Sequence, residues 1–383
     1  MKSDKTTPNV PTLRFAEFTD EWGKYELSHF VTRITRRNKN NESSLPLTIS
    51  AQYGLVDQIS FFNKTVASVD LSGYYLLYNG DFAYNKSYSN DYAWGAVKRL
   101  DKYEKGCLSS LYFVFRPNDN VDSDYLTHYF ESSKWHKGIS NIAGEGARNH
   151  GLLNMAVDDY FATKHYLPSL PEQKKIARFF NAITKRIEIQ NKIIEDLKVL
   201  KKELNYSLIG RIINGKSSNC KIEDVIDYEQ PTNYIVKSDK YIENGKTPVL
   251  TANKAFLLGY TIENEGVYNK SDCIILDDFT LDFKYVNFPF KIKSSAIKIL
   301  TAKKDIELRY FYEYLLFLGL TSHEHKRHYI SEIAPLPLYL PSIDEQRNAL
   351  SALNSISKKI KVEENYIIAL KAQKCFFLRA MFI

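Results

Sequence analysis

Three groups of residues have types and spacings that can support chemistry, and the first is a glycine-rich segment. Residues Gly210 to Ser217 (GRIINGKS) match the pattern of a phosphate-binding loop. Such a loop follows a strand and opens a helix, so that backbone amides and the helix dipole meet the phosphates. This segment instead follows a long helical pattern and runs into a polar Ser-Ser-Asn linker. We therefore interpret Gly215 as a helix stop.

The second group is rich in histidine, with His323, His325 and His328 inside one short segment. The spacing is not the zinc-binding HExxH, because the residue four positions after His323 is Arg327. Together with Lys326, these residues indicate a basic surface turn, which either contacts DNA or is simply solvated. We assign no metal ligand in this chain.

The third group combines carboxylates with a lysine, as nuclease sites do: Asp277, Asp278, Asp282 and Lys284. The interleaved aromatic residues indicate instead two strands around a turn. The sequence also lacks the Asn-Pro-Pro-Tyr or Asp-Pro-Pro-Tyr tetrapeptide of base methylation and a GxGxxG segment after a strand. We assign no catalytic residue.

The elements that position these residues occur twice. The segment Tyr166 to Gln173 (YLPSLPEQ) returns as Tyr339 to Gln346 (YLPSIDEQ), 173 positions later. Each copy predicts an extended stretch stopped by proline and then a helix start. A serine at that start and a glutamate three residues on form the pattern of a capping box: Ser169 with Glu172, and Ser342 with Glu345.

After each start, apolar residues alternate at spacings of four and three, as in a coiled-coil seam. The two seams have the same offset, and their polar breaks coincide: Gln190 with Glu363, and Lys201 with Lys374. We predict two helices of about 50 Å that pair antiparallel, with Lys201 opposite Glu363 and Lys374 opposite Gln190. The alternative is that each seam packs on its own domain. The apolar seam residues assigned to the coiled coil are Ile176, Phe180, Ile183, Ile187, Ile194, Leu197, Leu204, Leu353, Ile356, Ile360, Ile367, Leu370 and Phe377.

The fold class predicted from these patterns is α+β, with two β-rich domains separated by two long antiparallel helices that form a coiled coil. Residues 1–18 are an N-terminal segment, 19–167 the first domain, 168–214 a central helix, 215–340 the second domain and 341–383 a C-terminal helix. The two domains share a frame but differ in their loops.

Composition limits the class of protein. The 383 residues carry a net charge of +7 with a pI of about 8.9. This charge is compatible with a polyanionic partner but does not by itself establish one. The four cysteines are scattered, so neither a disulfide framework nor a zinc site is predicted. The start lacks the apolar region of a signal peptide, and no apolar run reaches the roughly 20 residues of a membrane span. We expect a cytoplasmic protein that does not enter a membrane.

With these motifs in order, the chain resembles the specificity subunits of Type I restriction–modification systems. The resemblance covers nearly the whole chain, and no single motif is specific, but the ordered set is. Besides the two proline-to-Glu-Gln helix starts, it rests on Pro11 to Phe15, Glu17-Phe18, Glu21-Trp22, Ser72 to Tyr74, Gly80 to Lys86, Thr247 to Ala252, Leu258 to Thr261 and Asp277 to Thr280.

The resemblance implies that each β-rich domain is a target recognition domain for one part of a split, asymmetric site in double-stranded DNA. The helices would set the spacing and, through the same apolar seam residues, dock methyltransferase subunits, two in number, beside restriction subunits. The chain itself would be non-catalytic and hold no cofactor, because S-adenosylmethionine, ATP and Mg²⁺ belong to the partners that methylate adenine and cut DNA. Two alternatives remain: a stand-alone DNA methyltransferase or nuclease on a similar scaffold, and a coiled-coil scaffold that binds only protein.

Candidate DNA contacts lie in polar or basic loops. The loop from Gly144 to Gly151 carries an arginine and an asparagine, which pair with guanine and adenine edges, although a plain surface loop has the same composition. Lysines would mostly hold phosphates, or are simply solvated. The candidates are Lys86, Ser87, Tyr88, Arg148, Asn149 and His150 in the first domain, and Lys291, Lys293, Ser294, Lys326 and Arg327 in the second.

Overall fold

The computed structural model describes residues 9–383 except 65, 90–91, 144–150, 254, 323 and 325. The chain divides into two compact units. The first comprises Met1–Asn191 and Tyr366–Ile383, and the second comprises Lys192–Asn365. Two long helices cross these boundaries, so each unit contains one part of each helix.

Short antiparallel strands form the frame of the first unit. A four-stranded sheet has the order β2-β9-β6-β7, and three two-stranded sheets pair β1 with β10, β3 with β4, and β5 with β8. Strands β6 and β9 are buried on both faces, which explains their nearly continuous apolar sequences. The strands are β1 (Gly23–Glu26), β2 (Val31–Arg33), β3 (Leu47–Ser50), β4 (Gly54–Asp57), β5 (Tyr75–Tyr78), β6 (Phe82–Asn85), β7 (Ala96–Arg99), β8 (Lys105–Leu108), β9 (Phe113–Pro117) and β10 (Lys164–Leu167).

Helices cover the sheet of the first unit and bury an aromatic core. Tyr84 of β6 stacks on Tyr160 with ring centroids 4.8 Å apart, and Phe82 stacks on Phe115 at 5.6 Å. The helices are α1 (Leu27–Phe30), α2 (Gln58–Phe62), α3 (Ser123–Glu131), α4 (His136–Ile142) and α5 (Val157–Phe161), followed by the long helix α6 (Leu170–Ile213).

The second unit repeats the frame of the first. Its four-stranded sheet has the order β12-β18-β15-β16, so in both units the last of the four strands lies between the first and the second. A three-stranded sheet β14-β13-β17 and the pair β11-β19 complete it. The strands are β11 (Cys220–Lys221), β12 (Ile226–Glu229), β13 (Thr247–Leu250), β14 (Leu257–Thr261), β15 (Cys273–Asp277), β16 (Phe283–Val286), β17 (Lys291–Ile292), β18 (Ile297–Ala302) and β19 (Pro337–Leu338).

Among its described residues, the second unit has two helices and two shorter helical turns besides its long helix. They are α7 (Ile222–Val225), a 3-10 turn (Pro231–Tyr234), α8 (Leu308–Leu318), a π-helical turn (Tyr329–Ile333) and the long helix α9 (Ile343–Ala380). The glycine-rich segment is the end of α6, as predicted: the helix stops at Ile213, and Gly215 has a φ of 71°, a conformation that favours glycine.

The two long helices pair antiparallel. All seventeen seam positions named above, the thirteen apolar residues and the four polar breaks, are buried or half-buried, whereas most positions between them are exposed. In the first unit the rings of Phe179 and Phe377 lie 4.9 Å apart. In the second unit Lys198 forms an ion pair with Glu364 at 2.7 Å. Early residues of α6 thus meet late residues of α9 and the reverse, so the predicted orientation is confirmed.

The two helix starts differ in their caps. At α9 the capping box forms: the Ser342 amide donates to the Glu345 carboxylate at 3.0 Å, and the Glu345 amide donates to the serine hydroxyl at 3.4 Å. At α6 the equivalent carboxylate, Glu172, is buried and accepts two hydrogen bonds of 2.7 Å from Arg14. A buried carboxylate is stabilised more by a bidentate guanidinium than by a serine hydroxyl.

Candidate nucleic-acid interface

A buried glutamine joins the first domain to its helix. Gln173, at the start of α6, accepts a hydrogen bond of 2.8 Å from the amide of Asp122, the residue that caps α3. Its amide group donates to the carbonyls of Pro168 at 2.9 Å and Asn120 at 3.4 Å. The side chain is 1% exposed. One side chain therefore fixes the start of α3 against the start of α6.

The second domain repeats this arrangement. Gln346, at the start of α9, accepts from the amide of Glu307, which precedes α8, at 2.8 Å. It donates to the carbonyls of Pro341 and Asp305, both at 3.0 Å. These contacts give the recurring glutamine the same structural role at both helix starts. The sequence showed the repeat but not this role.

The polar breaks of the two seams contact the domains as well. Lys201 of α6 forms an ion pair of 2.8 Å with Glu313 of α8, and Asn205 donates to the same carboxylate at 3.0 Å. Glu313 is 1% exposed. The prediction that Lys201 faces Glu363 is therefore wrong: α8 packs beside the seam and offers a carboxylate there, while Glu363 pairs with Lys359 on its own helix.

Lys374, the repeat equivalent of Lys201, makes the matching contact in the first unit. Its ammonium lies 2.8 Å from Glu131 at the end of α3 and donates to Thr184 of α6 at 2.9 Å. Burial alone would raise the pKa of Glu131, but the hydrogen bond from His128 and the charge of Lys374 lower it to about 2. Each domain helix is thus held by a glutamine from one long helix and a lysine from the other.

The first-domain candidates Lys86, Ser87 and Tyr88 lie beside the chain that follows the loop. The carbonyl of Lys86 accepts from the Leu153 amide at 3.0 Å, and the Tyr88 amide donates to Gly151 at 3.0 Å. The Lys86 ammonium sits 4.7 Å from the ring centre of Phe113, and burial lowers its pKa. The candidates Arg148, Asn149 and His150 lie outside the described residues, but Gly151 follows them directly in the sequence.

The second-domain candidates are mostly neutralised by carboxylates. Lys291 is 2% exposed, lies 3.1 Å from Glu263 and donates to a backbone carbonyl at 2.6 Å. Because its ammonium group is buried, Lys291 is not accessible to DNA, and we exclude it as a DNA contact. Lys293 pairs with Asp239, and the neighbouring Ser294 hydroxyl accepts from a backbone amide at 3.1 Å.

The basic turn of the second domain follows the same pattern. Lys326 lies between Glu324 at 2.6 Å and Glu332 at 2.9 Å, and hydrogen bonds from the ammonium to these carboxylates raise its pKa. Arg327 is exposed and lies 5.9 Å from the ring centre of Phe279. Arg327 is therefore the basic second-domain candidate that remains most accessible to a DNA phosphate.

Asp278 and His328, which belong to the nuclease-like and histidine-rich patterns of the sequence, make structural contacts. Asp278 is 1% exposed, accepts from the amides of His328 and Tyr329 at 3.1 and 2.7 Å, and lies 3.5 Å from the buried Lys298. The His328 ring bonds Ser322 and Glu332, at 2.8 and 2.7 Å. Among the described residues, no group of three or more potential ligands is arranged to hold a metal ion.

A buried histidine makes the first unit sensitive to acid. Burial lowers the pKa of His165 to about 4, and its ring nitrogens bond Tyr129 at 2.7 Å and Thr163 at 2.8 Å. Because the unfolded chain takes up this proton near pH 6.5, stability is full above that pH and falls as pH drops toward 4. We expect a loss of about 3 kcal/mol between pH 7 and pH 4.

Tryptophan fluorescence measures this loss, because all three tryptophans lie in the first unit. Urea unfolding is followed at pH 7 and pH 4 for the native chain and for a His165→Gln variant. The variant should lose about 3 kcal/mol less than the native chain over this range. Equal losses in the two proteins would show that His165 does not titrate in this way.

The comparisons with known proteins fit this arrangement. Residues 34–199 match the family model of the Type I restriction modification DNA specificity domain. Residues 34–199 are therefore similar to the DNA specificity domain of Type I systems. The specificity subunit of the Type I restriction enzyme EcoR124I/EcoR124II of Escherichia coli is 40% identical over 139 residues, which are 35% of this chain and 34% of that protein. The match thus spans about a third of the length of that relative.

Solved structures extend the likeness to both units. The crystal structure of a Type I restriction–modification S subunit from M. genitalium has a TM-score of 0.56 at 16% identity, covering 98% of this chain and 99% of that one. A structure from a study of complex assembly and conformational transition of the type I R-M system has a TM-score of 0.54 at 16% identity, covering 93% and 96%. The chain therefore shares its fold with these two solved structures. Within the described residues, no helix has the length and apolar character needed to cross a membrane.

Proposed function

We propose that this chain is the DNA-recognition subunit of a Type I restriction–modification complex and reads a split, asymmetric site. The observation that carries the proposal is the duplicated frame: two domains with one strand order, each held by an equivalent glutamine and lysine contact on a pair of antiparallel helices. Because both domains are held on the helices in the same way but differ in their loops, we expect them to read two half-sites of different sequence.

The chain recognises DNA and leaves the chemistry to its partners. S-adenosylmethionine, ATP and Mg²⁺ are held by methyltransferase and restriction subunits, which methylate adenine and cut DNA. The structural roles of Asp278 and His328 support this division, because those residues belong to the nuclease-like and histidine-rich patterns of the sequence.

Two methyltransferase subunits dock on the outer faces of the long helices. The predicted docking residues of the seam pack within the chain, so a partner meets the residues between them. Several of these are apolar and exposed, which suits a protein partner: Ile189, Ile193, Val199 and Leu200 on α6, and Val362, Ile368 and Phe376 on α9.

The experiment compares the purified chain with its complex containing the neighbouring methyltransferase subunit. With S-adenosylmethionine and Mg²⁺, the chain alone should neither methylate nor cut DNA. The complex should bind DNA with an affinity that falls as salt rises. Activity of the chain alone would support a stand-alone enzyme, and a complex without salt-dependent DNA affinity would support a protein-binding scaffold.

A further inference from the structure

A cleft in the first unit collects four lysines that are far apart in the sequence. Its volume is about 520 Å³. Lys24 comes from β1, Lys164 from β10, Lys134 from the turn before α4, and Lys137 from α4 itself. Three of them are exposed and Lys134 is half-buried. Because three separate elements supply the charges, the cleft depends on the fold and not on a local basic run.

None of these four ammonium groups forms a direct ion pair within the described part of the chain, in contrast to Lys291, Lys293 and Lys326 of the second unit. Lys24 instead lies 5.4 Å from the ring centre of Tyr166. Like charges brought together without counter-ions repel one another, so an arrangement of this kind is favourable when an anion binds there.

Acidic residues near the cleft are fewer than the lysines. Asp159 and Ile383, with its terminal carboxylate, line it, and the strand register sets Glu26 opposite Lys164, which makes three negative charges against four lysines. The floor contains His165, which is neutral at pH 7 because burial lowers its pKa to about 4. The positive charge of the cleft therefore comes from the lysines, and it exceeds the negative charge around it.

We propose that this cleft binds the phosphodiester backbone of DNA next to the first half-site. The inference rests on the proposed function and adds a surface to it. Lysine ammonium groups are point charges that bind phosphates without reading bases. The contacts therefore fix the position of the first domain on the duplex and carry no sequence information. A cleft of this volume exceeds a single phosphate group, which suits a polymer more than a small free anion.

The test removes the four charges from the complex with the methyltransferase subunit. A variant with Lys24, Lys134, Lys137 and Lys164 changed to Gln is compared with the native complex for affinity to duplex DNA over a range of salt concentrations. Each lost phosphate contact should reduce the slope of log affinity against log salt by about 0.9. The expected reduction is about 2 to 4, with at least a roughly tenfold loss of affinity at low salt and an unchanged methylation motif.

A matched variant controls for net charge. Lys39, Lys64, Lys102 and Lys185 are exposed, belong to the same unit and lie outside the cleft. Changing these four lysines to Gln should leave the slope of log affinity against log salt close to that of the native complex. Circular dichroism shows whether both variants remain folded.

Three outcomes would overturn the proposal, and they differ from one another. Equal slopes for the cleft variant and the matched variant would mean that DNA does not bind there. Loss of the methyltransferase subunit from the cleft variant would assign the cleft to an acidic protein surface. Absence of salt-dependent DNA binding by the native complex would instead overturn the proposed function itself.

Discussion

Changing Lys201 to methionine is expected to lower the free energy of unfolding by about 4 kcal/mol. The reason is that Glu313, the carboxylate that pairs with Lys201, is buried. Glu313 is 1% exposed, and its carboxylate is held by Lys201 at 2.8 Å and by Asn205 at 3.0 Å. Removing the ammonium leaves a buried negative charge with one amide donor. Urea unfolding followed by circular dichroism measures the loss.

Lys198→Met is the matched control, because it makes the same change one turn earlier on α6. Lys198 and Glu364 are 55% and 44% exposed in their side chains, so their ion pair should contribute less than about 1 kcal/mol. A double-mutant cycle then identifies the partner of Lys201. Strong coupling with Glu313→Gln and almost none with Glu363→Gln is expected. The reverse result would mean that Lys201 faces the other long helix after all.

Adding one heptad to both long helices should widen the spacer of the recognised DNA site by about three base pairs, since seven residues add about 10 Å of helix. The insertions follow Asn191 and Asn365, where each helix passes from one unit to the other. A heptad preserves the seam register, and these positions leave the glutamine and lysine contacts intact. Adenine methylation mapped by sequencing should show both half-sites unchanged and farther apart.

An insertion in α6 alone is the control for this experiment. It shifts one seam against the other, so it should destabilise the helix pair and abolish methylation. If the double insertion keeps the original spacer, the helices do not set the distance. If it alters a half-site sequence, the domains do not read DNA independently of the helices.

Periodicity made the frame predictable from the sequence. The seam of α6 and α9 could be located because burial repeats every three or four residues, and the shared offset of 173 positions showed that the helices are equivalent. The cap of α9 was predictable for a similar reason, since Ser342 and Glu345 interact within one turn. At α6 the same pattern failed because Arg14, 158 residues away, binds Glu172.

Contacts between distant segments could not be predicted in this way. The polar seam residues were visible, but their carboxylate partners lie on α3 and α8, which pack beside the helices for reasons of tertiary structure. The lysines of the cleft span 140 positions and have no shared motif. The usual exposure of lysine makes Lys291 a candidate DNA contact, whereas a local carboxylate and carbonyl hold it in the interior.

The most direct test of the account is a map of methylated adenines in a host without its own adenine methylation, expressing this chain with its neighbouring methyltransferase subunit. We predict one split motif with two half-sites of different sequence and a fixed spacer. Changing loop residues near Tyr88 should alter one half-site and leave the other. A soluble complex that leaves no motif in the DNA would contradict the assignment of this chain as the recognition subunit.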